Sequence, residues 1–401
     1  MEAVHLENVS FQYAGENRKN GIKNISMSVK EGECVLLTGI SGCGKSTVLR
    51  VINGLVPYFY EGEITGKIEL MGKQTDEIPF AEISKICGSV FQNPRSQFFY
   101  INTSSEIAFG CENQGIPTEE IEARVADCVE QFQLEDLQNR NIMQLSGGEK
   151  QKIAFASIYA GRPDIYVLDE PSANLDFDAI KDIERILKTL KKQGKTIIIA
   201  EHRLYFLRGL VDQVLLIAGG RVAHKYTGKE FFNLGAKAQE LGLRTLEKPQ
   251  LNKVPEPSPA ERGVHVRGVQ VSFGGRRVLD IADMCFPEGK VTGIIGPNGA
   301  GKTTLARVLC GLQRVQAGTV EFSAKPGRAF LVMQDVHRQL FTESVAQEAG
   351  PEFLAQLGLD QLADRHPLSL SGGQKQRLVC ATALSMDVPV LLFDEPTSGV
   401  D

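Results

Sequence analysis

Gly39–Thr47 reads GISGCGKST, and Gly296–Thr304 reads GPNGAGKTT. Each has the form G-x-x-x-x-G-K-[ST], and each follows a short apolar run, Cys34–Thr38 and Val291–Ile295. The runs predict strands that feed directly into glycine-rich loops. Glycines let backbone N–H groups wrap a phosphate, and the helix that starts at the lysine points its positive end the same way. Candidate phosphate contacts in the first loop are Gly39, Ile40, Ser41, Gly42, Cys43, Gly44, Lys45, Ser46 and Thr47. In the second they are Gly296, Pro297, Asn298, Gly299, Ala300, Gly301, Lys302, Thr303 and Thr304. Lys45 and Lys302 are expected to reach the β- and γ-phosphates, and Ser46 and Thr303 to bind Mg²⁺.

Further motifs repeat in the same order downstream. The first half carries FQNP around Gln92, LSGGEKQ at Leu145–Gln151, IYVLDEP at Ile165–Pro171 and EHR at Glu201–Arg203. The second carries MQD around Gln334, LSGGQKQ at Leu370–Gln376 and VLLFDEP at Val390–Pro396, then ends SGVD at Ser398–Asp401. Asp169 and Asp394 end near-continuous apolar runs, as buried parallel strands do, and are placed to hold the Mg²⁺ shell. Glu170 and Glu395 follow and can orient and deprotonate an attacking water. In LSGG, Ser146 and Ser371 are good N-caps, and the N–H groups at Gly147–Gly148 and Gly372–Gly373 can meet a γ-phosphate. The signature serine stands equally far from the aspartate in both halves, whereas the segment between phosphate loop and signature is shorter in the second.

Strands alternating with helices predict an α/β fold with a mainly parallel sheet in each half. Val4–Phe11 and Val264–Phe273 alternate as antiparallel strands do. Thr196–Ala200 and Gln213–Ile217 are further strands; Thr47–Asn53, Glu119–Phe132 and Phe177–Lys192 are helices. A tether, 246–262, with prolines at 249, 255, 257 and 259, separates a domain at 1–245 from one at 263–401. The second domain is expected to be C-terminally incomplete. Asp401 matches Asp176, after which the first half continues through Leu243. A chain extended by a matching strand and histidine is expected to be more soluble and faster.

A net charge of −5 and a pI near 5.8 argue against a nucleic-acid-binding face. No apolar run approaches the ~20 residues that span a bilayer. Eight cysteines without a C-x-x-C pair fit a reducing compartment and no zinc or iron–sulfur module. Cys43, beside Lys45 at a helix start, is expected to have a lowered thiol pKa and to be reactive.

Taken together, these motifs resemble a tandem ATP-binding-cassette (ABC) ATPase: two P-loop domains, each with an antiparallel β part and a helical subdomain. The resemblance implies ATP hydrolysis, with ATP and Mg²⁺ as cofactors. It implies that two cassettes face head to tail. Site one then uses Lys45, Ser46, Gln92, Asp169, Glu170 and His202, closed by Ser371–Gly373. Site two uses Lys302, Thr303, Gln334, Asp394 and Glu395, closed by Ser146–Gly148. Ser172–Asp176 and Ser398–Asp401 correspond to the D-loops. An aromatic upstream of each phosphate loop stacks on adenine, which points to Tyr13 and, with Gly275 opposite Tyr13, to Phe273. FQNPRSQFF, MQDVHRQLFTESV and EHR are similar to the ATPases of energy-coupling-factor importers of vitamins or nickel and cobalt ions. That branch implies a transmembrane scaffold subunit, a small membrane substrate-binding subunit and a peripheral place on the cytoplasmic face of a bacterial cell membrane. Left open are a soluble tandem ATPase acting on ribosomes or DNA, and the ATPase of another ABC importer branch.

Overall fold

The computed structural model describes residues 1–15, 21–235, 237–248, 262–324 and 328–396, which form two compact units divided after Gln250. The proline-rich tether beyond 248 and the SGVD segment lie outside the described residues.

In the first unit, β1 (Glu2–Tyr13) and β2 (Gly21–Lys30) pair antiparallel, their alternate residues turned inward. β3 (Cys34–Thr38) follows, then α1 (Lys45–Ile52), the short α2 (Leu55–Tyr58), β4 (Gly62–Leu70) and β5 (Lys73–Gln74). β4 and β5 complete an antiparallel sheet in the order β2-β1-β4-β5. After α3 (Phe80–Ile86) and β6 (Cys87–Val90) come three helices, α4 (Thr103–Asn113), α5 (Thr118–Phe132) and α6 (Gly147–Ala160). They pack on one another through Ile107, Cys111, Cys128, Phe132, Phe155 and Tyr159. β7 (Ile165–Asp169), α7 (Phe177–Lys192), β8 (Thr196–Ala200), β9 (Gln213–Ala218) and β10 (Arg221–Thr227) follow, then α8 (Gly228–Phe232) and α9 (Lys237–Glu240).

The main sheet has the order β10-β9-β3-β8-β7-β6, parallel except for β10. Chain order explains its hydropathy. β3 lies between β8 and β9, so all five of its residues are buried, and a strand covered on both faces reads as an unbroken apolar run. α1 packs beneath, with Val48, Leu49 and Ile52 against Val35, Leu37, Val167 and Ile198.

The second unit repeats the antiparallel part as β11 (Gly263–Phe273), β12 (Arg276–Pro287) and β13 (Ala317–Phe322), in the order β12-β11-β13, with α10 (Lys302–Leu309) after its phosphate loop. β14 (Ala329–Val332), the short α11 (Val345–Glu348) and α12 (Pro351–Gln356), α13 (Gly372–Ser385) and β15 (Val390–Phe393) complete it. Here the expectation of a strand at Val291–Ile295 fails. The stretch forms no strand, and Val291 is fully exposed. The reason lies in the pairing scheme of the first unit. There β3 bonds only to β8 and β9, both C-terminal to the Asp-Glu pair, and among the described residues of the second unit no strand takes those places. An apolar run without neighbours cannot satisfy its backbone as a strand. β15 bonds to β14 alone, and Phe393 is exposed where its counterpart Leu168 is buried.

Candidate nucleotide site

In the first unit, β3 delivers Gly39 to the loop, and Gly39, Gly42 and Gly44 all take positive φ. A Cβ on Gly39 would meet the carbonyl oxygen of Ile217 at 2.1 Å, so this turn admits only glycine. Lys45, 4% exposed, folds back and donates to the carbonyls of Gly39 (3.0 Å) and Ile40 (3.1 Å). Lys302 does the same toward Gly296 and Pro297, both at 2.9 Å.

The hydroxyl and carboxylate pairs read from the sequence meet in both units. Ser46 Oγ donates to Asp169 Oδ1 at 2.9 Å, and Thr303 Oγ1 to Asp394 Oδ2 at 2.7 Å. Burial pushes the Asp169 carboxyl up; the Ser46 hydroxyl pulls it down, and the neighbouring Glu170 pushes it up again. A half-buried hydroxyl-carboxylate oxygen set of this kind fits a hard, oxygen-seeking cation that keeps water and phosphate as its other ligands, as Mg²⁺ does. No cluster of three or more His, Cys, Asp or Glu among the described residues offers an all-protein metal cage.

Glu170 and Glu395 follow with φ of 46° and 50°, a left-handed turn at the strand end. Gln92 Nε2 donates to Glu170 Oε2 at 2.9 Å, and Gln334 Nε2 to Glu395 Oε2 at 2.8 Å. His202 Nε2 lies 3.0 Å from the other oxygen, Oε1 of Glu170. Burial would raise the Glu170 carboxyl. The hydrogen bond and charge of His202, with Lys45 and Arg244, outweigh it, and the group ends below the ordinary glutamate value.

Tyr13 also reaches the loop. Its hydroxyl lies 3.1 Å from Thr47 Oγ1 and accepts from Arg50 at 2.8 Å, and Arg50 lies 4.2 Å over the Tyr60 ring. Phe11 is fully buried behind it. Phe273 ends β11 half-exposed, and no described contact ties it to the second loop. Ser146 and Ser371 each cap a helix within a capping box. Ser146 N donates to Glu149 Oε2 at 2.7 Å, and Ser371 N to Gln374 Oε1 at 2.9 Å.

The expectation for Cys43 is overturned. Its side chain is 5% exposed, and burial raises the thiol pKa against the lowering influence of Lys45, whose Nζ is 3.8 Å away. Two residues of the site escaped the sequence reading. Glu201 is fully buried; its Oε1 accepts from the N–H of His202 (2.8 Å) and Arg203 (3.0 Å), and its Oε2 from that of Ser172 (3.2 Å). Its signal was a glutamate directly after the apolar run TIIIA. Arg244 comes within electrostatic reach of Glu170 from a segment read only as the approach to the tether.

A glycine loop with a buried lysine, a hydroxyl-aspartate pair and a glutamate directly after the aspartate define a P-loop nucleoside triphosphatase. The family described as ABC transporter matches residues 22–173 and 279–398, and the chain belongs to it. A putative ABC transporter ATP-binding protein of Treponema denticola is 45% identical over 99% of this chain and 86% of its own length. The putative HMP/thiamine import ATP-binding protein YkoD of Bacillus subtilis is 32% identical over 100% of this chain and 82% of its own. Among solved structures, cbiO1 from Clostridium perfringens, part of the ABC transporter complex cbiONQ, superposes with a TM-score of 0.53 at 29% identity, covering 61% of this chain and 95% of its own. ATP hydrolysis is the activity this family implies, and its ATPases partner with membrane components. No helix among the described residues is long and apolar enough to cross a membrane.

Proposed function

We propose that the chain is the ATPase component of an energy-coupling-factor-type importer, acting at the cytoplasmic face of a bacterial membrane. Its partners are a transmembrane scaffold and a small substrate-binding membrane subunit, and the cargo is a vitamin or a nickel or cobalt ion. What carries the reading is the paired architecture. Each unit holds a hydroxyl-aspartate pair and a glutamine-glutamate pair, and likeness to the thiamine-import relative runs the whole length of the chain.

In this reading the loop N–H groups and Lys45 hold the triphosphate, with Tyr13 beside the base. Ser46 and Asp169 would hold Mg²⁺, which would neutralise phosphate charge. Glu170 accepts a proton from the attacking water, whose oxygen bonds to the γ-phosphorus. The bond from that phosphorus to the bridging oxygen breaks, and ADP and phosphate leave. Gln92 and His202 hold the two carboxylate oxygens so that one is aimed at the water. Lys302, Thr303, Gln334, Asp394 and Glu395 hold the matching positions in the second unit, to which the smaller share of turnover is assigned.

The test is co-purification and turnover. The chain should co-purify from detergent with a polytopic scaffold and a small binding subunit encoded beside it, and its hydrolysis rate should change on adding them. Sedimentation with ribosomes, or retention on DNA, with no effect of the membrane subunits would overturn the proposal.

A further inference from the structure

β6 is an edge strand, yet its free edge is not bare. Gln97, 9% exposed, turns its carboxamide onto that edge. Its Oε1 accepts from Phe91 N–H at 3.2 Å, and its Nε2 donates to the Ser89 carbonyl at 3.1 Å. One side chain therefore makes the pair of bonds that a neighbouring strand would make. The loop it closes contains Gln92, the residue bonded to Glu170. The second unit repeats the device. Gln339 accepts from Met333 N–H at 2.7 Å and donates to the Leu331 carbonyl at 2.7 Å, beside Gln334 and at the edge of β14.

A carboxylate fixes the far end of each loop. One oxygen of Glu106, a residue 2% exposed, accepts from the N–H of Phe99 (2.9 Å) and Tyr100 (2.7 Å). One oxygen of Glu348 accepts from Phe341 (2.7 Å) and Thr342 (2.9 Å). Phe99 and Phe341, 74% and 83% exposed, stand at the tips. The same frame recurs at matching positions in both units.

We infer that Gln97 and Gln339 are positioning residues that hold Gln92 and Gln334 against the catalytic carboxylates, with Glu106 and Glu348 anchoring the exposed ends of the same loops. This rests on the reading of Gln92 and Gln334 as site residues given above. The chemistry selects glutamine. The clamp needs a donor and an acceptor on one planar group, and glutamate supplies only acceptors. Gln97→Glu keeps the size and sets a carboxylate oxygen against the Ser89 carbonyl, which opens the loop without removing bulk.

The experiment is a double-mutant cycle in the full chain carrying Glu395→Gln, with ATP hydrolysis and hydrogen exchange as readouts. Gln97→Glu should lower kcat roughly ten- to a hundredfold, as misplacement of a positioning group does, with KM for ATP unchanged. The Phe91 amide should exchange faster. In the Gln92→Ala background, Gln97→Glu should cost nothing further. Wild-type kcat in Gln97→Glu, or an equal loss with Gln92 absent, overturns the inference, as does unchanged exchange at Phe91. If Gln97→Glu does not accumulate folded, Gln97→Ala carries the same cycle. Wild-type kcat in Gln92→Ala would instead sink the reading of Gln92 itself, whatever Gln97 does.

Discussion

His202→Ala removes one of the two bonds that fix Glu170 and leaves the Gln92 bond at 2.9 Å. The lost contact is a 3.0 Å hydrogen bond to a carboxylate, between side chains 14% and 21% exposed. Hydrogen bonds to charged groups contribute about 1.5–3 kcal/mol. Partial solvent screening brings this one to about 1–2 kcal/mol, or roughly a five- to thirtyfold loss of kcat if the carboxylate must be held for the water to react. A second effect has a fixed sign. His202 is the leading influence that holds the Glu170 carboxyl below its ordinary value, and burial opposes it. With the folded value below the unfolded one, the carboxylate stabilises the native state above the unfolded pKa, and that contribution fades as pH falls through the folded value. Without His202 burial dominates, the pKa rises, and the acid limb of the pH-rate profile should move to higher pH. Steady-state hydrolysis against pH, in a Glu395→Gln chain so that only the first site turns over, reads both effects. A normal kcat with an unmoved acid limb would show that His202 does not act through Glu170.

Cys43 should resist alkylation in the folded chain at neutral pH, because burial raises its thiol pKa; labelling as fast as that of a free thiol would contradict this. Leu36→Ala, in the fully buried β3, should cost about 2–5 kcal/mol in urea unfolding, whereas Ile295→Ala, in the matching but exposed run, should stay within about 0.5 kcal/mol. Ser46→Ala should weaken Mg²⁺-dependent ATP binding at the first site and leave metal-free nucleotide binding little changed; equal loss in both conditions would remove the hydroxyl from the metal shell. Glu201→Gln keeps one acceptor oxygen where three N–H groups use two, so it should slow hydrolysis by roughly tenfold while the chain stays folded; an unaltered rate would make Glu201 a packing residue only.

Much of the site was legible because its chemistry is local. Ser46 and Thr303 sit next to their lysines, and Asp169 and Asp394 end apolar runs, so residue type and spacing alone point to the pairs that form. Phe177–Lys192 and Thr196–Ala200 came out at the predicted bounds, the first amphipathic, the second buried on both faces. Val291–Ile295 failed because a parallel strand is a property of its neighbours. The run is as apolar as Cys34–Thr38, but β3 is made by β8 and β9, which a local reading does not see. Cys43 failed for a related reason. Lys45 was visible in the sequence, whereas the packing that buries the thiol comes from residues distant in the chain. Gln97 and Glu106 were passed over because their partners are backbone groups, which have no signature in residue type.

The proposed ATPase uses Glu170 as the base, in a site built on a fully paired β3. The second loop is preceded by an exposed run. Turnover by the Glu170→Gln and Glu395→Gln chains, each measured with Mg²⁺ and saturating ATP, tests this most directly. Loss of most hydrolysis in Glu170→Gln, on the order of 10²-fold or more, with little change in Glu395→Gln, is the predicted result. Equal losses from the two substitutions, or full activity in Glu170→Gln, would contradict it.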